Sequence, residues 1–310
     1  MRRFLLGGKL ASGTVPPSRS CQMNRIRKLS LALALFCTFP ATAHAAPALW
    51  QVSDNDSSIW LFGSVHLLPD GIKWRSETFD KILQSADAVY FETDITPEAQ
   101  MELLGETFKR GMNDIGERLS DSLDAKQTKT LTKAAAKLGM PMASVEAMRP
   151  WMASSAITVA AVAQSGYDPA SGVDLLLEQE VAKNRQRYFE SGSQQIGFLA
   201  DAPAAEQIGQ LIDVAGRVDE IASSIEEMVK AWADGDPEQL ATLFLKDLAG
   251  YDALAQRLIY DRNKSWIGTI KKLLADNEQD LIVVGTGHLI GDGSVVDLLD
   301  DAGFSVKRLQ

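Results

Sequence analysis

Two histidines, His66 and His288, sit in nonapeptides that repeat one another: the stretch from Gly63 reads GSVHLLPDG and the stretch from Gly285 reads GTGHLIGDG. Five of the nine positions are identical, and Ser64 against Thr286 and Leu68 against Ile290 are conservative. The only other histidine in the chain is His44. One histidine after a strand is ordinarily a loop residue. Two at matched places in matched phrases point to a shared site. Two glutamates form a second matched pair, in Tyr90-Phe91-Glu92-Thr93 and Tyr188-Phe189-Glu190-Ser191. A strand-end glutamate by itself is commonly only solvated. Two His and two Glu together make a divalent-metal site credible, because imidazole with carboxylate suits Zn, Mn, Co or Fe. A metal so held lowers the pKa of bound water and polarises a carbonyl, with a spare carboxylate as general base. Asp70 and Asp292, beside Gly71 and Gly293, read as turn formers rather than ligands.

Competing chemistries are poorly supported. The glycines from Gly285 to Gly291 are spaced G-x-G-x-x-x-G, which is not the dinucleotide fingerprint, and no βαβ unit follows them. Neither an HExxH motif nor a Gly-x-Ser-x-Gly elbow is present, so the commonest zinc-protease and serine-hydrolase patterns are unsupported.

The elements that must position these residues follow from hydrophobic patterning. Strands are expected at Trp50 to Ser53, Ile59 to Phe62, Ala86 to Phe91, Arg187 to Phe189, Asp280 to Val284 and Phe304 to Leu309. The short continuous apolar runs among them suit strands buried on both faces. Helices are expected at Ser76 to Ser85, Pro97 to Arg110, Ser122 to Leu138, Pro150 to Gln164 and Gly172 to Lys183, and again through residues 204–276 with breaks near Gly235 and Gly250, then at Asp297 to Ala302. The Pro150 helix is apolar almost all round, which predicts burial. The fold class is therefore α/β: a mixed, largely parallel central sheet with flanking helices and a large helical insertion. Each histidine lies three residues beyond the glycine that stops a strand, and that glycine permits tight or positive-φ backbone. Ligands of open α/β sheets bind beyond the carboxyl ends of strands, so one rim would collect both imidazoles and both glutamates.

Residues 23–45 read as a secretory signal peptide. Arg25, Arg27 and Lys28 precede an apolar run from Leu29 to Phe39, and Ala43-His44-Ala45 offers a small-x-small cleavage site. The start is expected at Met23 and cleavage after Ala45, with residues 46–310 forming a single domain in the periplasm or secreted. The apolar run is too short to span a bilayer, so no stable membrane insertion is expected after cleavage. A lipid anchor at Cys37 is disfavoured by the bulky Phe36 before it. Both cysteines, Cys21 and Cys37, fall in the leader, which leaves no disulfides. Seven of the 31 Lys and Arg and none of the 41 Asp and Glu go with it, for a remaining net charge of −17. That charge argues against nucleic acid and anionic membrane surfaces as partners.

The paired Gly-x-x-His motifs in this order resemble the TraB/GumN family, which includes the TIKI proteins. The likeness extends to the glutamates, to Arg262-Asn263 before the last parallel strand, and to the landmarks Pro150-Trp151 and Gly172-Val173-Asp174. It covers essentially residues 49–310. One departure is mild: the family typically shows Leu-Glu-Thr followed by Gln, where this chain has Phe189-Glu190-Ser191 with Gln194 and Gln195. The resemblance implies a fold shared with erythromycin-esterase-like and ChaN-like proteins, and Mn- or Co-dependent peptidase chemistry on a peptide or protein substrate. On that analogy His66, Glu190 and His288 hold the metal and Glu92 is a ligand or the general base. Arg262 then stabilises a developing oxyanion or holds a peptide carboxylate; a structural salt bridge is the alternative for it. Fold kinship alone does not fix function, so a non-catalytic periplasmic protein that binds a peptide, haem or a signal ligand is a second expectation, and an accessory role in exopolysaccharide export a third.

Overall fold

A computed structural model of the chain describes residues 45–310. The expected leader, with its start at Met23, its two cysteines and nearly all of its cleavage site, lies outside the described residues. Among the described residues eight strands occur in chain order: β1 (Leu49–Ser53), β2 (Ser58–Ser64), β3 (Leu68–Pro69), β4 (Val89–Phe91), β5 (Tyr167–Asp168), β6 (Gln186–Tyr188), β7 (Leu281–Gly285) and β8 (Ser305–Arg308). Six of them form one sheet in the order β6-β4-β7-β2-β1-β8. The first four in that order run parallel, with Tyr188 opposite Phe91, Phe91 opposite Val283, and Ser64 opposite Gly285. β1 is antiparallel to β2, and β8 to β1. The fold is the mixed, mainly parallel α/β arrangement that the sequence pattern implies.

The helices are α1 (Glu77–Ser85), α2 (Pro97–Gly111), α3 (Ala125–Lys137), α4 (Met142–Glu146), α5 (Pro150–Ala163), α6 (Val173–Glu180), α7 (Gly192–Ala200), α8 (Ala204–Gly216), α9 (Ile221–Ala233), α10 (Pro237–Leu248), α11 (Asp252–Ala255), α12 (Asp261–Ala275) and α13 (Val295–Asp301). Local chemistry starts them: Ser76 caps α1 by accepting from the Phe79 amide, and Asp124 and Gln127 close a reciprocal capping box on α3, each satisfying amides that the first turn leaves free. α1 buries Phe79, Ile82 and Leu83 against the sheet core around Phe62 and Trp74. β7 is buried along Leu281 to Val284, as a strand covered on both faces must be. A second core of Leu119, Leu131, Val145, Ile157 and Leu211 forms where α3 and α5 pack on α8, and this is the helical insertion. Among the described residues no helix is long and apolar enough to cross a membrane.

One expectation is corrected, and two short strands were not anticipated. α5 buries Trp151, Ala153 and Ile157 but leaves Val159 56% exposed; its alanines read as apolar in sequence without demanding burial. The two-residue strands β3 and β5, paired through Leu68 and Asp168, carry too few residues for any periodicity to show.

Candidate active site at the sheet rim

Four neighbouring parallel strands deliver the four matched residues to one rim. β6 leads into Glu190, β4 into Glu92, β7 into His288 and β2 into His66. The two glutamate segments continue the pairing of their strands, with the Glu190 amide donating to the Glu92 carbonyl at 2.9 Å. The motif glycines supply space rather than handedness. Gly285 has φ −50°, and a Cβ there would meet Oε1 of Glu92 at 3.0 Å and Cδ2 of His288 and Nε2 of His66 at 3.8 Å each. Three site side chains therefore converge over one bare backbone position, and any side chain at 285 would fill their meeting place. The positive-φ glycines of the phrases are instead the turn residues Gly71, Gly291 and Gly293, which fits the turn role of Asp70 and Asp292.

The first histidine is held from outside its own loop. The Val173 amide donates to the Val65 carbonyl at 2.9 Å. Gly172 lies so close that a Cβ there would come within 2.3 Å of the His66 carbonyl oxygen. Asp174, one residue on, accepts from Nδ1 of His66 at 2.9 Å. The Gly-Val-Asp landmark is thus a clamp, its glycine admitting the loop and its aspartate turning the ring. Nε2 of His66 is left facing the cleft, and the side chain is 69% exposed. Asp174 pushes the His66 pKa up to about 9 by charge and hydrogen bond.

The second histidine is buried, with 4% of its side chain exposed. Nδ2 of Asn263 donates to the Gly293 carbonyl at 2.9 Å, so its Oδ1 is the acceptor for Nδ1–H of His288 at 2.6 Å. That fixes the tautomer and leaves an Nε2 lone pair, which accepts from Nη1 of Arg262 at 2.9 Å. Trp266 packs on the imidazole with ring centroids 4.5 Å apart. Burial pushes the His288 pKa down to about 4; Glu92 opposes this, and Arg262 and His66 add to it.

Arg262 ties the rim together. Nε donates to Oε1 of Glu190 at 2.9 Å, Nη2 to Oε2 of Glu190 at 2.8 Å and to Oε2 of Glu92, and Nη1 also to the Leu258 carbonyl at 3.0 Å. Such charge-assisted, forked bonds are what a guanidinium makes best. Glu190 further accepts from the Trp266 indole at 3.0 Å and from Gln195 at 3.3 Å. Oε1 of Glu92 accepts from the Gly285 amide at 2.7 Å and lies 3.7 Å from Nε2 of His288. Burial opposes charge on Glu92, but His288, Arg262 and His66 outweigh it and hold the carboxyl at about 2. A π-helical turn, Gln256–Tyr260, precedes α12 and so sits just before Arg262; such turns are frequent at functional sites.

The donor chemistry fits a divalent metal at three atoms, Nε2 of His66, Nε2 of His288 and Oε1 of Glu92. Each ring uses Nδ1 on an outer acceptor, as metal-bound histidines do, and all three side chains border Gly285, Glu92 through Oε1, His66 through Nε2 and His288 through Cδ2. Both oxygens of Glu190 accept from Arg262, Trp266 and Gln195, and both of Glu92 accept from the Gly285 amide, Arg262 and Gln195; Glu190 takes two of the guanidinium N–H groups and Glu92 one. Among the described residues no three His, Cys, Asp or Glu side chains are drawn close enough to form a ready ligand cluster.

Sequence reasoning assigned no role to Asp174, Asn263, Gln195 or Trp266. Three of the four were visible as landmarks: Asp174 in Gly-x-Asp, Asn263 beside Arg262, and Gln195 after Glu190. Trp266 gave no signal beyond its helical spacing from Arg262, one turn along α12.

Comparison with known proteins places these features. The profile of the TraB/PrgY/gumN family matches residues 48–308. An uncharacterised protein of Treponema pallidum (strain Nichols) is 20% identical over 272 residues, which cover 83% of this chain and 81% of that one. A metalloprotease TIKI homologue of Amphimedon queenslandica is 40% identical over 58 residues, 18% of this chain and only 11% of that protein. No solved structure matches.

Proposed function

The chain belongs to the TraB/PrgY/gumN family, and we propose that it is an exported hydrolase that uses a divalent metal, Mn, Co or Zn, to cleave peptide bonds. The observation that carries this reading is the convergence of His66, Glu92 and His288 over Gly285. These three residues would hold the metal. When bound, it lowers the pKa of a bound water toward neutrality and polarises the carbonyl under attack. The short match to a protein named as a metalloprotease supports the same reading.

The chain's own residues prepare that chemistry. Asp174 and Asn263 fix the two rings with Nε2 toward the cleft. Arg262 keeps Glu92 ionised, as an anionic ligand must be. Its five N–H groups are all engaged. The lone pair on Nε2 of His288 cannot serve two partners at once, so Nη1 of Arg262 is the donor that gives way when His288 binds elsewhere. A guanidinium N–H released beside the cleft is suited to stabilise negative charge developing on a carbonyl oxygen.

One observation favours a second reading, a non-catalytic binding or accessory protein. The network of Arg262, Glu92, Glu190 and His288 satisfies itself from within the chain. Incubation with a peptide library and Mn, Co or Zn, read by mass spectrometry, separates the two. The hydrolase reading expects cleavage that chelator abolishes; uncut peptides under every metal would leave the binding reading in its place.

A further inference from the structure

Two cavities meet at the rim and share Ser64, His66 and Glu92 as the wall between them. Their linings differ in kind. The larger, of about 420 Å³, lies within the range of roughly 300–1,000 Å³ that small-ligand sites occupy. It is walled by Ile225 and Met228 of α9, Phe244 and Leu248 of α10, and Leu258 and Ile259 of the π-helical turn. All six are only half-buried, so they present apolar surface that the fold itself does not cover. Phe244 closes the end nearest the second histidine: a Cβ on Gly287 would come within 2.7 Å of its ring. The smaller cavity, of about 340 Å³, is lined by Thr93, Gln100, Asp174 and Gln195. Oγ1 of Thr93 and Oδ1 of Asp174 are buried there with no hydrogen-bond partner in the chain, although buried polar atoms ordinarily have one.

We infer that the apolar cavity is a specificity pocket for one large aliphatic or aromatic side chain of a peptide, seated next to the bond over His66 and Glu92, while the polar cavity receives the adjoining backbone. This rests on the hydrolase reading for the location of that bond and adds the class of residue recognised. Three features select a peptide. The two cavities flank the same three residues, so a single ligand crosses between them. A peptide places a bulky apolar group within one residue of amide donors and acceptors, and the polar residues Thr93, Gln100, Asp174 and Gln195 line the second cavity where such groups would run. Arg262, which also lines the pocket, has every N–H engaged within the chain and so offers none to an anionic head group.

The test uses blocked tetrapeptides that differ at one position, Ala, Leu, Phe or Asp. Binding is measured by calorimetry on metal-stripped protein, and cleavage of the same peptides on metal-loaded protein. The expected result is at least about tenfold tighter binding of the Leu and Phe peptides than of Ala, since an apolar group fully buried in a fitting pocket discriminates by roughly 10–200-fold. Met228→Trp, which fills the pocket, and Leu248→Asp, which places a charge in it, should each erase that preference by weakening the Leu and Phe peptides to the affinity of Ala or below. Circular dichroism verifies folding of both. Equal affinity across the series, an unchanged preference in both variants, or binding of a dodecanoyl amide in place of peptides would overturn the pocket assignment. Apolar-selective binding without cleavage defeats the hydrolase reading and keeps the pocket. Cleavage indifferent to the varied side chain does the reverse.

Discussion

The two Gly-x-x-His phrases end adjacent parallel strands, one residue out of step with each other, yet the fold treats their histidines differently. His288 is sealed under Arg262, Asn263 and Trp266, and burial drives its ring neutral. His66 stands exposed at the mouth, held by an aspartate that favours the charged ring. The same motif thus yields one fixed, neutral nitrogen at the floor of the cleft and one accessible, adjustable nitrogen at its edge. What differs is the neighbouring element. β7 is walled in by α12, which brings Arg262, Asn263 and Trp266 within one helical turn, whereas the loop after β2 is met by the start of α6 with Gly172 and Asp174. A repeated phrase sets where the rings arrive; the non-repeated partners set what each ring can do.

The sharpest way to break this contrast is to remove each ring. His66→Ala and His288→Ala should both abolish activity, since each deletes a group that meets over Gly285. Their effects on stability should diverge. His288→Ala strands buried polar partners and opens a cavity beside Trp266, a loss of about 2–4 kcal/mol. His66→Ala, at an exposed site, should lose less than ~1 kcal/mol. Urea denaturation of both variants gives the answer, and equal losses would erase the distinction between floor and mouth.

A smaller effect sharpens it. Asp174→Asn keeps the shape of the clamp but removes its charge, so metal affinity or activity should fall roughly 10–100-fold, the usual effect of changing a group that orients a metal-bound histidine. A variant as active as wild type would show that His66 needs no orienting partner. Glu190→Gln addresses the other end of the rim. Because Glu190 serves Arg262, the variant should retain metal while losing ~1.5–3 kcal/mol of stability, the scale of a hydrogen bond to a charged group; loss of metal would restore Glu190 as a ligand.

The smallest effect is on pH. Between pH 6.5 and about 4 the unfolded chain binds a proton that folded His288 refuses, so stability should fall as pH drops through that window. Glu92, lowered from 4.5 to about 2, adds to the acid loss further down. Between 6.5 and about 9 the folded state holds a proton on His66 that the unfolded chain releases, so stability should also decline as pH rises there. The alkaline loss should be slight, because solvent screens an exposed ring. Ring-proton NMR on metal-free protein reads the two histidines separately, and two midpoints both near 6.5 would contradict the assignment.

Much of this was legible before the fold was known, and the reason lies in its parallel core. The run Leu281 to Val284 is buried on both faces and announces itself as an uninterrupted apolar stretch, and the matched phrases mark where such strands end. The supporting groups were harder to see, because they act through proximity rather than pattern. Asp174 lies 108 positions from His66 and Trp266 lies 76 from Glu190, and no local periodicity links such pairs. The motif glycines were legible as required for tight or positive-φ backbone, and the structure selects the first. Close packing at Gly285, not positive φ, is what excludes a side chain, and only three converging elements reveal that.

Metal content is the most direct test of the claim that the two phrases build one centre. The purified protein would be stripped with chelator, re-equilibrated with Mn, Co and Zn, and its bound metal counted by mass spectrometry, with His66→Ala and His288→Ala alongside. The account predicts about one tightly held ion per chain in the wild type, as for a single catalytic centre, and its loss in either variant. Failure of the wild type to retain metal, or retention in both variants, would contradict it and leave the paired motifs to the fold or to another ligand.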